Sequence, residues 1–171
     1  SGMQWGKDAG FLVKKEATRL YQSRWMAVAV LEAGQWREPA VEIESSLPAD
    51  LRGYNDLPLL ANDGGGRVWL LFRHRLLRIR DVPSDAAAHR AAWELFATCY
   101  DGGRWITPVP VPFSPSRTDS RAGFASGGPG SLYAAWVNDN RDYEEFLVKH
   151  FDVYAARIPI PAAAPAEPRL V

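Results

Sequence analysis

Internal repetition constrains this chain more than any other feature. The run Trp25-Met26-Ala27-Val28-Ala29-Val30-Leu31 reads as a strand, Glu32-Ala33-Gly34-Gln35 as a turn, and Trp36-Arg37-Glu38-Pro39-Ala40-Val41-Glu42-Ile43 as a return strand of period two. A second set follows the same plan: Trp93-Glu94-Leu95-Phe96-Ala97-Thr98-Cys99-Tyr100, then Asp101-Gly102-Gly103-Arg104, then Trp105-Ile106-Thr107-Pro108-Val109-Pro110-Val111. Trp25 aligns with Trp93 at an offset of 68, and Trp36 with Trp105 and Pro39 with Pro108 at 69. The extra residue is expected in the turn, where insertions cost least. A second repeat interleaves with the first. Gly66, Trp69 and Phe72 align with Gly130, Tyr133 and Trp136 at an offset of 64, so a Gly-rich turn feeds an inner strand in both copies. Each inner strand leads to a polar insertion, at 81–92 and 139–150, and then to another strand, the last being Phe151-Asp152-Val153-Tyr154-Ala155-Ala156-Arg157.

Two interleaved repeats of one common period mean one structural unit used more than once. The unit reads strand, polar loop, strand, tight turn, strand, with room for a fourth. Four-stranded sheets of this content are propeller blades. The predicted fold is therefore all-β, two to three blades of a β-propeller that do not complete a ring. A β-sandwich whose hairpins resemble each other by chance is the alternative. Three regions are expected: an N-terminal segment 1–23, blades over 24–158, and a linker 159–171. Ser1-Gly2-Met3 looks like a cleavage scar, and the four prolines between Pro159 and Pro168 favour extended chain over strand or helix. Ser84 to Ala92 is helix-compatible, as one or two turns inside an ordered loop.

Composition narrows the partners. Lys plus Arg and Asp plus Glu are each 20, so the formal net charge is zero. A general nucleic-acid binder needs an excess of positive charge to displace counterions, and an anionic membrane surface attracts the same excess. Neither partner is expected. No apolar run approaches the ~18 residues of a membrane helix. The single cysteine, Cys99, rules out an intrachain disulfide and leaves the compartment unread. A leader removed from the N-terminus would place the chain in the periplasm or outside the cell. Seven Trp, six Tyr and seven Phe suit a sugar-binding surface or a core, and the core is the first expectation.

The turn Tyr100-Asp101-Gly102-Gly103-Arg104-Trp105 resembles the Asp-box, or BNR, repeat of sialidase-type propellers, whose pattern is roughly Ser-x-Asp-x-Gly-x-Thr-Trp. Asp101, Gly103 and Trp105 fit it. Cys99 stands at the Ser position, and the Trp comes one residue early. Gly34 and Trp36 mark a more degenerate copy, with Glu32 in place of the Asp. A short carboxylate there would accept hydrogen bonds from turn N–H groups, glycine would permit positive φ, and the indole would pack between sheets. The motif stabilises a fold and implies no chemistry. Leu132-Tyr133-Ala134-Ala135-Trp136 with Asn138-Asp139-Asn140-Arg141, then Asp152 to Arg157, is also similar to bacterial proteins in which such blades precede a PHP-type metal-dependent hydrolase domain. That resemblance implies a metal site beyond Val171.

Sialidases of this kind use three arginines, a Tyr–Glu pair and an Asp. The chain offers Arg73, Arg75, Arg117, Arg121 and Arg141 with Asp119, Asp139 and Tyr143, but too few blades to bring them together. No catalytic residue is assigned. The candidate ligand-binding residues are Arg117, Asp119 and Arg121 before an inner strand, and Asn138, Asp139 and Arg141 after one; solvated turns are the competing explanation. Asp139, Asn140 and Asp142 supply oxygen ligands without EF-hand spacing, and His74, His89 and His150 share no ligand spacing, so no metal or cofactor is assigned. Gly64-Gly65-Gly66 lacks the Lys and Ser/Thr of a phosphate loop. Cys99 reads as a small core residue. The expected function is a non-catalytic propeller-type binding or accessory module, with a glycan or a protein as partner. The alternatives are a fragment of a glycan- or phosphoester-active hydrolase and a homo-oligomer that closes a ring.

Overall fold

The computed structural model describes residues 26–39, 41–65, 67–76, 92–116, 121–128, 131–140 and 150–158. The predicted N-terminal segment 1–23, the helix-compatible insertion up to residue 91 and the Pro/Ala linker lie outside them, while Ala92 opens a strand. The described chain is all-β apart from two short helical turns, and its strands form three separate antiparallel sheets. The first is the hairpin β1 (Val30–Glu32) and β2 (Gln35–Arg37). The second is a four-stranded meander, β3 (Asn55–Asn62), β4 (Val68–Leu76), β5 (Ala92–Tyr100) and β6 (Val109–Pro110). The third is β7 (Gly123–Ser126), β8 (Leu132–Asn138) and β9 (Asp152–Ile158). None of the three sheets closes on itself.

The repeats occupy equivalent places. Leu31 faces Trp36 across the first hairpin, and Tyr100 faces Trp105 across the turn after β5. Both turns contain four residues, so the extra residue of the second copy lies upstream of the turn and not within it. Asn62↔Val68, Ala61↔Trp69 and Leu60↔Leu70 in the β3–β4 hairpin recur as Ser126↔Leu132, Ala125↔Tyr133 and Phe124↔Ala134 in β7–β8. The interleaved similarity is thus one of pairing register as well as of residues.

Two predicted strands are shorter than their alternation suggests. Met26 to Ala29 is not in a strand, and β2 stops at Arg37. Beyond it, Ile43–Ser46 forms one helical turn, α1, and Ala49–Leu51 a 3-10 turn. Glu44 explains the switch: it is buried and accepts hydrogen bonds from the N–H of Met26 and of Gly53, a role no solvent-facing strand position could fill. β3 has no counterpart among the predicted strands. Its pattern is broken by an irregularity between Asp56 and Leu59, where Leu57 takes φ +48° ahead of Pro58.

The core has two parts, one on each face of the four-stranded sheet. Trp69, Leu71, Ala97 and Cys99 face Leu132, Ala134, Trp136 and Ile158 of the third sheet. Leu70, Phe72 and Phe96 face Met26, Ile43, Leu47 and Leu51, with Trp105 beside them. The contact between sheets two and three joins non-equivalent faces. Trp69 points into it, but its counterpart Tyr133 points away from it and is 47% exposed. One front face meets the next back face.

Candidate functional site

Antiparallel pairing brings the start of β3, the end of β4 and the start of β5 to one rim of the second sheet. There Asp56 pairs with Arg73, and Trp93 with Arg75. Both oxygens of Asp56 accept from Arg73, Oδ1 from Nε at 2.8 Å and Oδ2 from a terminal nitrogen at 2.9 Å. This two-point bond is the geometry in which guanidinium and carboxylate match best. The Arg73 guanidinium also lies over the Trp93 ring at 3.8 Å, with that of Arg75 at 5.8 Å. All four side chains are buried.

On the other face of β4, His74 closes a second chain of contacts. The Asn55 Nδ2 donates to the Leu51 carbonyl at 2.7 Å and to the Glu44 carboxylate at 3.2 Å. The Asn55 oxygen therefore faces His74 Nδ1, 2.9 Å away. Burial pulls the His74 pKa below its ordinary value, against the opposing charges of Asp50 and Glu44. The imidazole and the Phe96 ring lie nearly perpendicular, with centroids 6.0 Å apart.

The third sheet contributes the end of β8. Asn138 donates from Nδ2 to the carbonyls of Phe113 and Pro115 at 2.8 and 3.0 Å. The Ser116 hydroxyl donates to Asp139 at 3.1 Å, while the Ser116 backbone bridges Trp93 in both directions. Asn138 and Asp139 are buried, and their side chains pin the 113–116 loop. Of the other candidates, Arg121 is exposed ahead of β7, and Arg117, Asp119 and Arg141 lie outside the described residues. The sequence does not single out Asp56, Trp93 or Asn55 as site residues, and it offers Arg73 only among the arginines that a sialidase-type site would need. Only the antiparallel registers bring them together.

Two glycine turns work alike. The Asp101 carboxylate accepts from the N–H groups of Gly103 and Arg104 at 3.1 and 3.0 Å, with Gly102 at φ +97°. Those N–H bonds, from Arg104 first, lower its pKa. The Trp105 indole donates to the Val41 carbonyl and is 6% exposed, whereas Trp36 at the equivalent hairpin position is 72% exposed. Gly34, at φ +79°, follows Ala33 at +47° in that hairpin's turn. Asp63 makes the stronger version: Oδ1 accepts from the N–H of Gly65, and Oδ2 accepts from Arg67 Nε and Trp69 Nε1. Burial pushes the Asp63 pKa up, but Trp69, Gly65 and Arg67 together bring it below its ordinary value.

The sign of that shift gives a prediction. A carboxyl whose folded pKa is depressed contributes stability above its unfolded value and loses it as pH falls through the folded one. Asp63→Asn should lower the melting temperature near neutral pH and flatten the acid limb below about pH 4. Melting curves across that range for both proteins check it, and parallel acid limbs would sink it.

Among the described residues, no group of three or more His, Cys, Asp or Glu is placed to hold a metal ion, and no helix is long and apolar enough to cross a membrane. Burial pushes the Cys99 thiol up, away from the reactive thiolate. The arrangement can hold shape and offer a rim. Comparison of the chain with protein-family models, with curated proteins and with solved structures finds no match.

Proposed function

We propose that this chain is a non-catalytic binding module of propeller type, in which successive blade-like sheets stack and present their loop rim to a ligand. The front-to-back contact between equivalent sheets carries the proposal. A two-sheet sandwich whose halves were related by a two-fold axis would join like faces. Here unlike faces join, which is the packing of an open series. The four-stranded sheet is covered on both sides, as an interior blade would be. The polar groups found at the rim are committed to one another, which suits a rigid platform better than proton transfer. The test is incubation with an array of neutral and acidic glycans. Ligand retained and recovered unchanged is the expected result. Release of new reducing ends or of phosphate would overturn the non-catalytic assignment.

A second function, self-association, is favoured by one observation. Leu31 and Trp36, equivalent to Tyr100 and Trp105 of the buried back face, are exposed on the first sheet, and Tyr133 and Val153 are exposed on the front face of the third. These are the two faces that a head-to-tail contact between copies would join. Light scattering behind size exclusion would then report a discrete oligomer that Trp36→Glu converts to monomer. A monomer at every concentration retires the self-association.

A further inference from the structure

Three aromatic rings form a stack that runs from the core into solvent. Trp136 on β8 is buried, Tyr154 on β9 is half-buried, and Phe113 in the loop after β6 is 75% exposed. Ring centroids are 5.9 Å apart for Trp136–Tyr154 and 6.3 Å for Tyr154–Phe113, with interplanar angles of 13° and 14°. The stack is held from behind. The Phe113 carbonyl accepts from Trp136 Nε1 at 3.2 Å and from Asn138 Nδ2 at 2.8 Å. Phe113 also takes φ +58°, a conformation that disfavours a side chain of this size. A strained backbone thus displays a large apolar ring to water, the reverse of what burial alone would select.

Polar groups lie at the edge of the same stack. The Tyr154 hydroxyl donates to Asn140 Oδ1 at 2.9 Å, Asn140 Nδ2 donates to Asp152 Oδ2 at 2.6 Å, and His150 Nε2 lies 3.4 Å from that oxygen. Asn140, His150 and Asp152 are exposed. A carboxamide has two N–H hydrogens and two lone pairs, and a carboxylate about four acceptor positions. These contacts leave hydrogen-bonding capacity facing solvent.

The geometry points to a saccharide-binding site at which Phe113, backed by Tyr154, seats the apolar face of a neutral hexopyranose while Asn140 and Asp152 hydrogen-bond its hydroxyls. A β-glucopyranose ring has just this division, with axial C–H groups on its faces and hydroxyls around its rim; in β-galactopyranose O4 is axial, and the face opposite it stays apolar. The electron-rich face of an aromatic ring attracts polarised C–H groups. The Asp152 carboxylate accepts hydrogen bonds from hydroxyls and repels an anionic sugar. The site therefore favours a neutral sugar over the carboxylated one that a sialidase-type resemblance would suggest. Rings already stacked and anchored lose little freedom on binding, which raises affinity.

This rests on the binding-module function above and names its ligand class. The test is saturation-transfer NMR with cellotriose and lactose as probes, on the whole chain. Transfer concentrated on the ring hydrogens of one sugar face is expected. Phe113→Gly suits the backbone of that position, so it should keep the melting temperature while weakening binding roughly tenfold, about the worth of one aromatic stack. Phe113→Trp should preserve binding. If Phe113→Gly binds both probes as tightly as the parent, this site is overturned, but binding without turnover elsewhere would leave the module function standing. If neither probe receives transfer from the parent chain, the saccharide site falls, and the module function is decided separately by the glycan array.

Discussion

Arg73→Met is expected to destabilise the fold by about 3–5 kcal/mol, the cost of removing one partner from a buried ion pair. Arg73 and Asp56 are each about 4% exposed at the side chain. The Asp56 carboxyl loses its two-point partner in a poorly solvated place. The Trp93 face loses the guanidinium that lies over it as well. The same physics sets the result for the double variant. Asp56→Leu with Arg73→Met removes both charges and fills the space with apolar atoms, so it should recover most of the loss. Urea unfolding of the parent, both single variants and the double variant closes the cycle. A single-variant loss below about 1 kcal/mol would place the pair in the range of an exposed salt bridge and contradict its burial.

The strands around this pair were legible in the sequence to different degrees. β4, β5, β8 and β9 announce themselves because apolar residues fill both faces of β4 and β5, and because Leu132, Ala134 and Trp136 alternate with Tyr133 and Ala135. The common register of the repeats follows from Trp36 and Trp105, and from Gly66 and Gly130. β3 was hidden by Pro58, which reads as a strand breaker, and by the irregularity that accommodates it. The turn at Ile43–Ser46 was hidden because Glu42 and Ile43 continue the alternation of the strand read from Trp36. Only the fold shows that Glu44 faces inward to the N–H of Met26, eighteen residues away. The candidate site divides in the same way. Asn138 and Asp139 stand out as a polar cluster after a strand, but their targets, the carbonyls of Phe113 and Pro115 and the hydroxyl of Ser116, carry no signature in one dimension. Phe113 is silent for the same reason: nothing in Val-Pro-Phe-Ser-Pro says that the ring is turned outward.

Trp69→Ala should cost about 3–5 kcal/mol, the range for deleting a buried aromatic side chain from a core that cannot collapse around the gap. Trp69 is fully buried between the second and third sheets, and its indole donates to Asp63 Oδ2 at 3.1 Å. Trp69→Phe keeps most of the packing and forfeits that hydrogen bond, for an expected loss of about 1–3 kcal/mol. The informative comparison is with Tyr133, which occupies the same register position one repeat later. Tyr133 lies on an exposed front face, so Tyr133→Ala should cost under about 1 kcal/mol in a monomer. Two residues related by the repeat thus differ several-fold in their contribution because one is covered by the next sheet and the other is not. Chemical unfolding of the three variants at two protein concentrations checks this. If Tyr133→Ala becomes costly only at the higher concentration, a second copy covers the front face of the third sheet in solution. A large cost at both concentrations would mean that the face is already covered within one chain.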